Sequence, residues 1–210
     1  MIKLENTEIS GWKAAIRGMR NPMNSWDKSD TQFSENGHVI DIGFDDARLM
    51  KQLVQAGSDH SKFMRMINVT VDVTAPLYWW KEADTYKVGT VRNSCSTMHK
   101  ITAKEFELDG FSHEHMTSHN RHLLEEIIAD LNLYRNRYLT AKETDGMPKK
   151  DWWWQIIQLL PSSYNQRATL QLNYAVLRNI YHSRKNHKLD EWHDFCGWVE
   201  MLPYSELITL

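Results

Sequence analysis

The chain has 210 residues, of which 41% are hydrophobic and 25% charged, and its formal net charge is -2. This balance is typical of a soluble globular protein and gives no reason to expect a nucleic acid or an anionic membrane as partner. No apolar run is long enough to cross a bilayer, and the two cysteines, Cys95 and Cys196, form neither a disulfide framework nor a metal-binding spacing. We therefore expect one cytoplasmic domain spanning residues 1–210.

Short strands and short helices are predicted in the first half of the chain. Residues 2–9 alternate as a strand does, and residues 11–19 indicate a short helix followed by a polar loop. Residues 45–57 predict a helix with an acidic start and a glycine stop. The β-branched run at 66–73 predicts a strand, after which Pro76 opens a helix that extends towards residue 86.

Helices are predicted throughout the second half. Residues 120–139 form a long amphipathic pattern, and residues 149–160 form another that stops at Pro161. A further long helix is expected from about Ser163 to Arg184, and a last one over residues 189–202. The expected fold class is therefore α+β, with a small early sheet packed with long helices.

The clearest chemical signal is the absence of acidic residues from Trp152 to Leu189, where the average composition would place about five. A surface of one sign concentrates anions such as phosphate-bearing ligands. A basic helix face paired with acidic neighbours explains the same pattern equally well. The basic residues of this segment are Arg167, Arg178, Arg184, Lys185 and Lys188.

Two polar residues interrupt an apolar stripe in the helix expected at 163–184. Asn173 and Arg184 are spaced three or four residues from Leu170, Leu177 and Ile180, so in a helix all five would lie on one face. Burying either polar side chain without a partner is costly, so each must be paired. The partners are either backbone groups, which burial alone favours, or the oxygens of a ligand.

Two other segments invite a chemical interpretation. Four histidines lie between His113 and His122, but a solvated helix start explains them better than a metal site, and we predict no metal. Cys95 precedes His99 by four residues, as a thiol nucleophile and its base would. No acidic orienting residue is evident, so we expect a buried or partly buried free cysteine instead.

Two stretches of the chain resemble flavin-dependent thymidylate synthases. Residues 60–98 align with the family pattern H-x-[ST]-x-x-E-H, a strand, and Q-x-x-R-H-R-x-x-S-x-N-E-x-S-x-R-Y, with His60 on the first histidine. Residues 160–184 align with LP followed by T-x-N-x-R-x-L-x-x-F-L-x-x-R. The residues that match the family in this second stretch are Leu160, Pro161, Asn173, Leu177 and Arg184, together with Asn179, which some members carry.

The same alignment shows large departures from the family. The R-H-R triplet falls on Thr85, Tyr86 and Lys87, so only Lys87 keeps a charge. An arginine binds phosphate through a planar fork and a lysine is a point charge, so this exchange is not conservative. A one-residue slip would place Asn93 and Ser96 on the Asn and Ser of the motif, and this second register stays open. Other exchanged positions are Glu82 for Gln, Thr90 for Ser, and Arg65 and Met66 for Glu-His.

The resemblance implies reductive methylation of dUMP, or of a related pyrimidine nucleotide, with FAD, methylenetetrahydrofolate and NADPH. It implies that the flavin supplies the redox chemistry while the protein binds and orients, and it assigns no catalytic residue in this chain. It also implies a homotetramer. The implied cofactor-binding residues are His60, Lys81, Lys87, Asn173 and Asn179, and the implied substrate-binding residues are Glu82, Thr90 and Arg184.

The departures leave a second interpretation open. The chain would then be a catalytically inactive descendant that keeps the scaffold to bind a nucleotide or a protein partner. Its basis is the loss of the R-H-R triplet and of the arginine that closes the first motif, where this chain has Thr97. The nine tryptophans fit either interpretation, because aromatic residues are enriched at subunit interfaces.

Overall fold

The computed structural model describes residues 2–37, 39–142 and 146–210. It divides into two compact units, which are described separately. Unit 1 comprises the described residues of 1–3, 74–84 and 94–168, and unit 2 those of 4–73, 85–93 and 169–210. The division falls inside the strands of the main sheet, and the expectation of a single domain stays a prediction.

Six strands form two sheets in the described part of the chain. The main sheet has four strands in the order β1-β4-β6-β5, and β2 pairs with β3 in an antiparallel ribbon. Strand β4 alternates buried and half-buried residues, as its β-branched sequence predicts. The strands are β1 (Lys3–Ser10), β2 (Gln32–Phe33), β3 (Val39–Asp41), β4 (Asn68–Pro76), β5 (Val91–Ser94) and β6 (Asn165–Asn173).

Helices make up most of the remainder. The helices predicted over 11–19, 45–57, 120–139, 149–160 and 189–202 are confirmed, with bounds that differ from the prediction by at most two residues. None of the helices in the described ranges has the length and hydropathy of a bilayer span. The helices are α1 (Trp12–Arg20), α2 (Phe44–Gln55), α3 (Leu77–Ala83), α4 (Thr97–Lys100), α5 (Ser118–Thr140), α6 (Lys149–Leu159), α7 (Tyr174–Arg184), α8 (Asp190–Glu200) and α9 (Glu206–Thr209).

The prediction of one helix from Ser163 to Arg184 is wrong in its first half. Residues 165–173 form strand β6, and only residues 174–184 form helix α7. Residues 166–172 alternate between buried and exposed, which is the period of a strand. Leu170 and Asn173 therefore do not share a helical stripe with Arg184. The sheet consequently includes a strand from late in the chain.

The core of unit 1 lies under the helical pair α5 and α6. Leu124 and Leu131 of α5 are buried as the amphipathic pattern predicts, whereas Leu123 is exposed. Trp152 of α6 stacks on Tyr134 of α5, with ring centroids 6.1 Å apart. The buried residues of this core are Ile101, Phe106, Phe111, Leu124, Leu131 and Ile156.

A buried ion pair anchors the polar loop that follows α1 in unit 2. Arg20, at the end of α1, donates from Nε to Oδ1 of Asp46 in α2 over 2.6 Å. The other carboxylate oxygen of Asp46 accepts hydrogen bonds from the hydroxyls of Ser29 and Thr31. Because these residues come from α1, the loop and α2, the pair fixes the course of the loop across unit 2.

Candidate functional site

A cavity of about 460 Å³ opens in unit 2 between the loop 85–89 and the first turns of α7. We call it the first cavity. Its volume lies in the range of small-molecule sites in proteins. None of the described residues that line it is acidic, whereas two are cationic, so the cavity favours anions. Its polar lining residues are Arg65, Thr85, Tyr86, Lys87, Asn173 and Asn179.

Asn173 ends strand β6 and caps helix α7. Its Oδ1 accepts a hydrogen bond from the backbone N–H of Val176 over 3.0 Å, as an N-cap side chain does. Asn173 therefore has a backbone partner, which is the alternative that burial alone favoured over a ligand. The side-chain nitrogen of Asn173 remains a donor group at the cavity wall.

Gly89 allows the loop to approach the start of α7 closely. Its φ of +76° is one that glycine adopts readily and other residues rarely adopt. A Cβ at this position would lie 3.0 Å from Cγ2 of Val176 and 3.2 Å from Nδ2 of Asn173. A side chain at residue 89 would therefore crowd Val176 and Asn173, which also line the first cavity.

The charged and polar groups of the first cavity are exposed at its rim. Lys87 lies in the loop, Asn179 lies in the second turn of α7, and Arg65 lies in a short 3₁₀ helix, Lys62–Met66. All three side chains are exposed. They can therefore contact a ligand that enters from solvent, at the cost of weaker electrostatic attraction than buried groups would provide.

Arg184 contacts protein side chains instead of lining the first cavity. Its Nε donates to the hydroxyl of Tyr86 over 2.8 Å. Its guanidinium carbon lies 5.5 Å from the ring centroid of Tyr86 and 5.0 Å from that of Trp192, at cation–π distances. Trp192 belongs to α8 and packs edge-to-face on Tyr86 with centroids 6.2 Å apart. We call Tyr86, Arg184 and Trp192 the arginine cage.

The structure places the predicted site residues in several locations. Lys81 and Glu82 belong to α3 in unit 1. In unit 2, His60 is exposed in the turn that follows α2, and Thr90 is half-buried just after the loop 85–89. The Oγ1 of Thr90 is buried and has no hydrogen-bond partner among the described residues. The predicted residues that share the first cavity are Lys87, Asn173 and Asn179.

Cys95 differs from the expectation of a buried or partly buried thiol, because it is exposed, whereas Cys196 is buried. The backbone of Cys95 is held in unit 1, where its N–H donates to Arg167 and its carbonyl accepts from the side chain of Gln166. The backbone N–H of His99 donates to Oγ of Ser96, the residue that precedes helix α4. In the described ranges, no group of three or more His, Cys, Asp or Glu side chains is placed to hold a metal ion.

Two solved structures align with this chain over nearly its whole length. The flavin-dependent thymidylate synthase ThyX from Helicobacter pylori, complexed with FAD and dUMP, covers 99% of this chain and 98% of its own with a TM-score of 0.67 and 15% identity. A second structure of the same enzyme with FAD and dUMP, at 2.31 Å resolution, covers 100% of both chains with the same TM-score and 14% identity. This chain has the ThyX fold. No family profile and no curated protein matches it in sequence.

The ThyX fold confirms the predicted fold class, a flavin-dependent thymidylate synthase-like α+β architecture. Seven of the ten residues that line the first cavity were absent from the predicted site, among them Arg65 and Gly89. Arg65 stands where the family pattern has Glu, and this reversal of charge was itself a signal of a rebuilt site. Gly89 was a weaker signal, since a loop glycine often marks a close approach of backbone to other groups.

Proposed function

We propose that the protein binds FAD and a pyrimidine nucleotide and catalyses the reductive methylation of dUMP, or of a related nucleotide, with methylenetetrahydrofolate and NADPH as cosubstrates. The first cavity carries this proposal. It combines cationic Arg65 and Lys87 with the carboxamides of Asn173 and Asn179, and it has no acidic residue in its described lining. The H. pylori ThyX structures that share the fold contain FAD and dUMP.

The donor set of the first cavity fits a phosphate-bearing nucleotide or dinucleotide. The two cations, Arg65 and Lys87, attract an anionic ligand, and solvent screens this attraction because both side chains are exposed. The carboxamide nitrogen of Asn173 can donate to a ring carbonyl, because its oxygen already caps α7. Tyr86 is the aromatic residue among those that line the first cavity.

In this proposal Lys87 and Arg65 bind phosphate oxygens, and the two asparagines orient the ring system. FAD, when bound, supplies the redox chemistry of the reaction. The roles of His60, Lys81, Glu82 and Thr90 remain predictions. We assign no side chain of this chain to covalent or acid–base catalysis.

The visible absorbance spectrum of the purified protein, before and after FAD is added, tests flavin binding. We expect a protein-shifted flavin spectrum and NADPH-dependent formation of dTMP from dUMP.

We expect Lys87→Gln to weaken dUMP binding about tenfold or more, because a hydrogen bond to a charged group contributes about 1.5–3 kcal/mol. Calorimetric titration with dUMP measures the loss.

Lys185→Gln is the matched control for Lys87→Gln. Lys185 is also an exposed lysine in unit 2, at the end of α7, but it contacts the ring of Tyr181 and is not among the residues that line the first cavity. This variant should bind dUMP like the parent protein. Equal losses of affinity in both variants would mean that dUMP binding depends only on net charge. In the spectroscopic test, a folded protein that leaves the spectrum of added FAD unchanged would contradict flavin binding.

The arginine cage favours a second function, that of a non-catalytic module that binds a nucleotide or a protein partner. The family resemblance assigns Arg184 to the pyrimidine nucleotide, yet here the side chain contacts Tyr86 and Trp192. Binding of dUMP without any turnover in the presence of FAD, NADPH and methylenetetrahydrofolate would support this function. Formation of dTMP would exclude it.

We also propose that the protein is a cytoplasmic homotetramer. Four large apolar side chains on α5 and α6 are 41% to 51% exposed, which is the kind of surface that another copy of the chain would bury. We expect sedimentation velocity to give a single species of four times the 24.8 kDa chain mass, and a monomer would contradict the proposal. The four residues are Leu123, Leu133, Leu139 and Trp154.

A further inference from the structure

A further cavity of about 530 Å³ lies in unit 2 and shares no lining residue with the first cavity. We call it the neutral cavity, because none of the described residues that line it carries a charge. Its wall comes from the end of β1, the start of α1, the β2–β3 ribbon with its turn, and the turn before α9. Most of its side chains are apolar or aromatic, namely Ile9, Trp12, Val39, Ile40, Pro203 and Tyr204.

Trp12 places an unused hydrogen-bond donor at the wall of the neutral cavity. The side chain is 7% exposed and packs edge-to-face on Tyr174 and Tyr204, with ring centroids 5.3 Å and 5.4 Å away. In the described part of the chain, no hydrogen bond uses the indole N–H of Trp12. A buried indole N–H usually has an acceptor. The neutral cavity beside the ring leaves a place for one.

Tyr204 supplies a second donor on the same wall. Its hydroxyl oxygen accepts a hydrogen bond from the backbone N–H of Ile42 over 3.1 Å, and its own hydrogen is left to donate. Its φ of +54° is rare for a bulky residue. The contact with Ile42, the ring contact with Trp12 and the bond from the Tyr174 hydroxyl to the Pro203 carbonyl hold this turn in place. The wall is therefore ordered before a ligand arrives, which lowers the entropic cost of binding.

We propose that the neutral cavity binds an uncharged aromatic ligand that carries a carbonyl oxygen. The indole N–H of Trp12 and the hydroxyl of Tyr204 donate to that oxygen, while Ile9, Val39 and Ile40 contact the ring. An ionic ligand is disfavoured, because nothing in the described lining compensates its charge. Binding at this cavity requires no flavin, nucleotide or turnover, so the inference does not depend on the proposed function.

Calorimetric titration with benzamide and benzoate tests the ligand class. The two probes share a ring, but benzoate carries a carboxylate in place of the neutral amide. We expect benzamide to bind with a Kd of about 1 mM or tighter, as a small ligand with few atoms can, and benzoate to bind at least about tenfold more weakly. Absence of benzamide binding, or equal affinities for the two probes, would overturn the inference.

Trp12→Phe locates benzamide at the indole N–H, because it keeps an aromatic ring and removes only the donor and part of the ring system. We expect benzamide affinity to fall about threefold or more. Trp198→Phe is the matched control, since Trp198 is also 7% exposed, but its indole N–H donates to Thr7 and it is outside the lining. The control should change the affinity less than twofold, and equal losses in the two variants would contradict the assigned site.

Ile40→Asp keeps the inference testable if Trp12→Phe does not fold. Ile40 is 66% exposed, so the substitution disturbs little packing, but it puts a carboxylate on the wall of the neutral cavity. We expect benzamide affinity to fall about threefold or more. Met23→Asp changes another exposed apolar residue of unit 2 that is outside the lining, and it should bind benzamide like the parent protein. An unchanged affinity in Ile40→Asp would place benzamide elsewhere and overturn the inference.

Discussion

Replacing Asp46 with alanine is expected to lower the free energy of unfolding by about 3–5 kcal/mol, because removing one partner of a buried ion pair leaves the other charge uncompensated. Asp46 is fully buried and Arg20 is 4% exposed. The carboxylate also accepts hydrogen bonds from the hydroxyls of Ser29 and Thr31 and from two backbone N–H groups of the loop. Urea denaturation of the parent and variant proteins measures the difference.

Asp45→Ala is the matched control for this prediction. Asp45 is the adjacent carboxylate on α2, but its side chain is half exposed and its ion-pair partner, Arg48, lies at the surface. Such a pair contributes about 0–1 kcal/mol, so the control should remain close to the parent protein. Equal effects of the two substitutions would contradict the role assigned to the buried pair.

The same carboxylate predicts a loss of stability in acid. Burial would raise the pKa of Asp46, but the hydrogen bonds from Thr31, Ser29 and Arg20 outweigh burial, so the pKa in the folded protein lies below the ordinary value of 3.8. A carboxyl group with a depressed folded pKa stabilises the protein fully above its unfolded pKa, and this stabilisation is lost as the pH falls through the folded pKa. Asp46→Ala should therefore show a shallower dependence of stability on pH in that acidic window.

The N-terminal loop shows what sequence reasoning could not provide. The polar segment after α1 has the composition of a solvated loop, and nothing in its spacing identifies Asp46 as its anchor. The pairing joins residues of α1, the loop and α2 that are 15 to 26 positions apart. Periodicity within one element carries no information about a contact between elements. The contact of Asp46 with α1 and the loop can therefore be recognised only in the folded chain.

Strand β6 was mispredicted for a related reason. Its sequence, NQRATLQLN, contains glutamine, arginine, alanine and leucine, which are good helix formers, and only one β-branched residue. Pairing within the four-stranded sheet overrides this local preference. By contrast, β4 was predicted correctly, because its alternating valines favour a strand locally as well as in the sheet.

Short motifs identified part of the lining of the first cavity, whereas a contact between distant residues could not be predicted, and the binding roles of these residues stay predictions. Lys87, Asn173 and Asn179 were identified by aligning short motifs, and they line one cavity. The sequence also required a partner for Arg184, but it could not choose between a nucleotide and a protein side chain. Tyr86 lies 98 positions from Arg184, and only the folded chain reveals this partner.

Trp192→Ala is expected to destabilise the protein by about 3–5 kcal/mol, as is usual when a buried aromatic side chain is truncated. Trp192 is 1% exposed and packs edge-to-face on Phe195 as well as on Tyr86. The substitution also removes one aromatic face from the guanidinium group of Arg184. Trp26→Ala, at a tryptophan that is 50% exposed, is the control and should cost much less. Urea denaturation again gives the comparison.

Milder substitutions in the arginine cage distinguish a nucleotide-binding role of Arg184 from a purely structural one. Tyr86→Phe removes the hydroxyl that accepts from Arg184 but keeps the ring, and a net loss of about 1 kcal/mol of stability is expected. If Arg184 serves the nucleotide, this release should strengthen dUMP binding, and Arg184→Gln should cancel the gain. If the cage is only structural, Tyr86→Phe will lower stability and leave dUMP affinity unchanged. The first outcome raises the affinity for dUMP and the second leaves it unchanged, while the loss of stability is the same in both, so the role of the cage can be assigned without a measurement of catalysis.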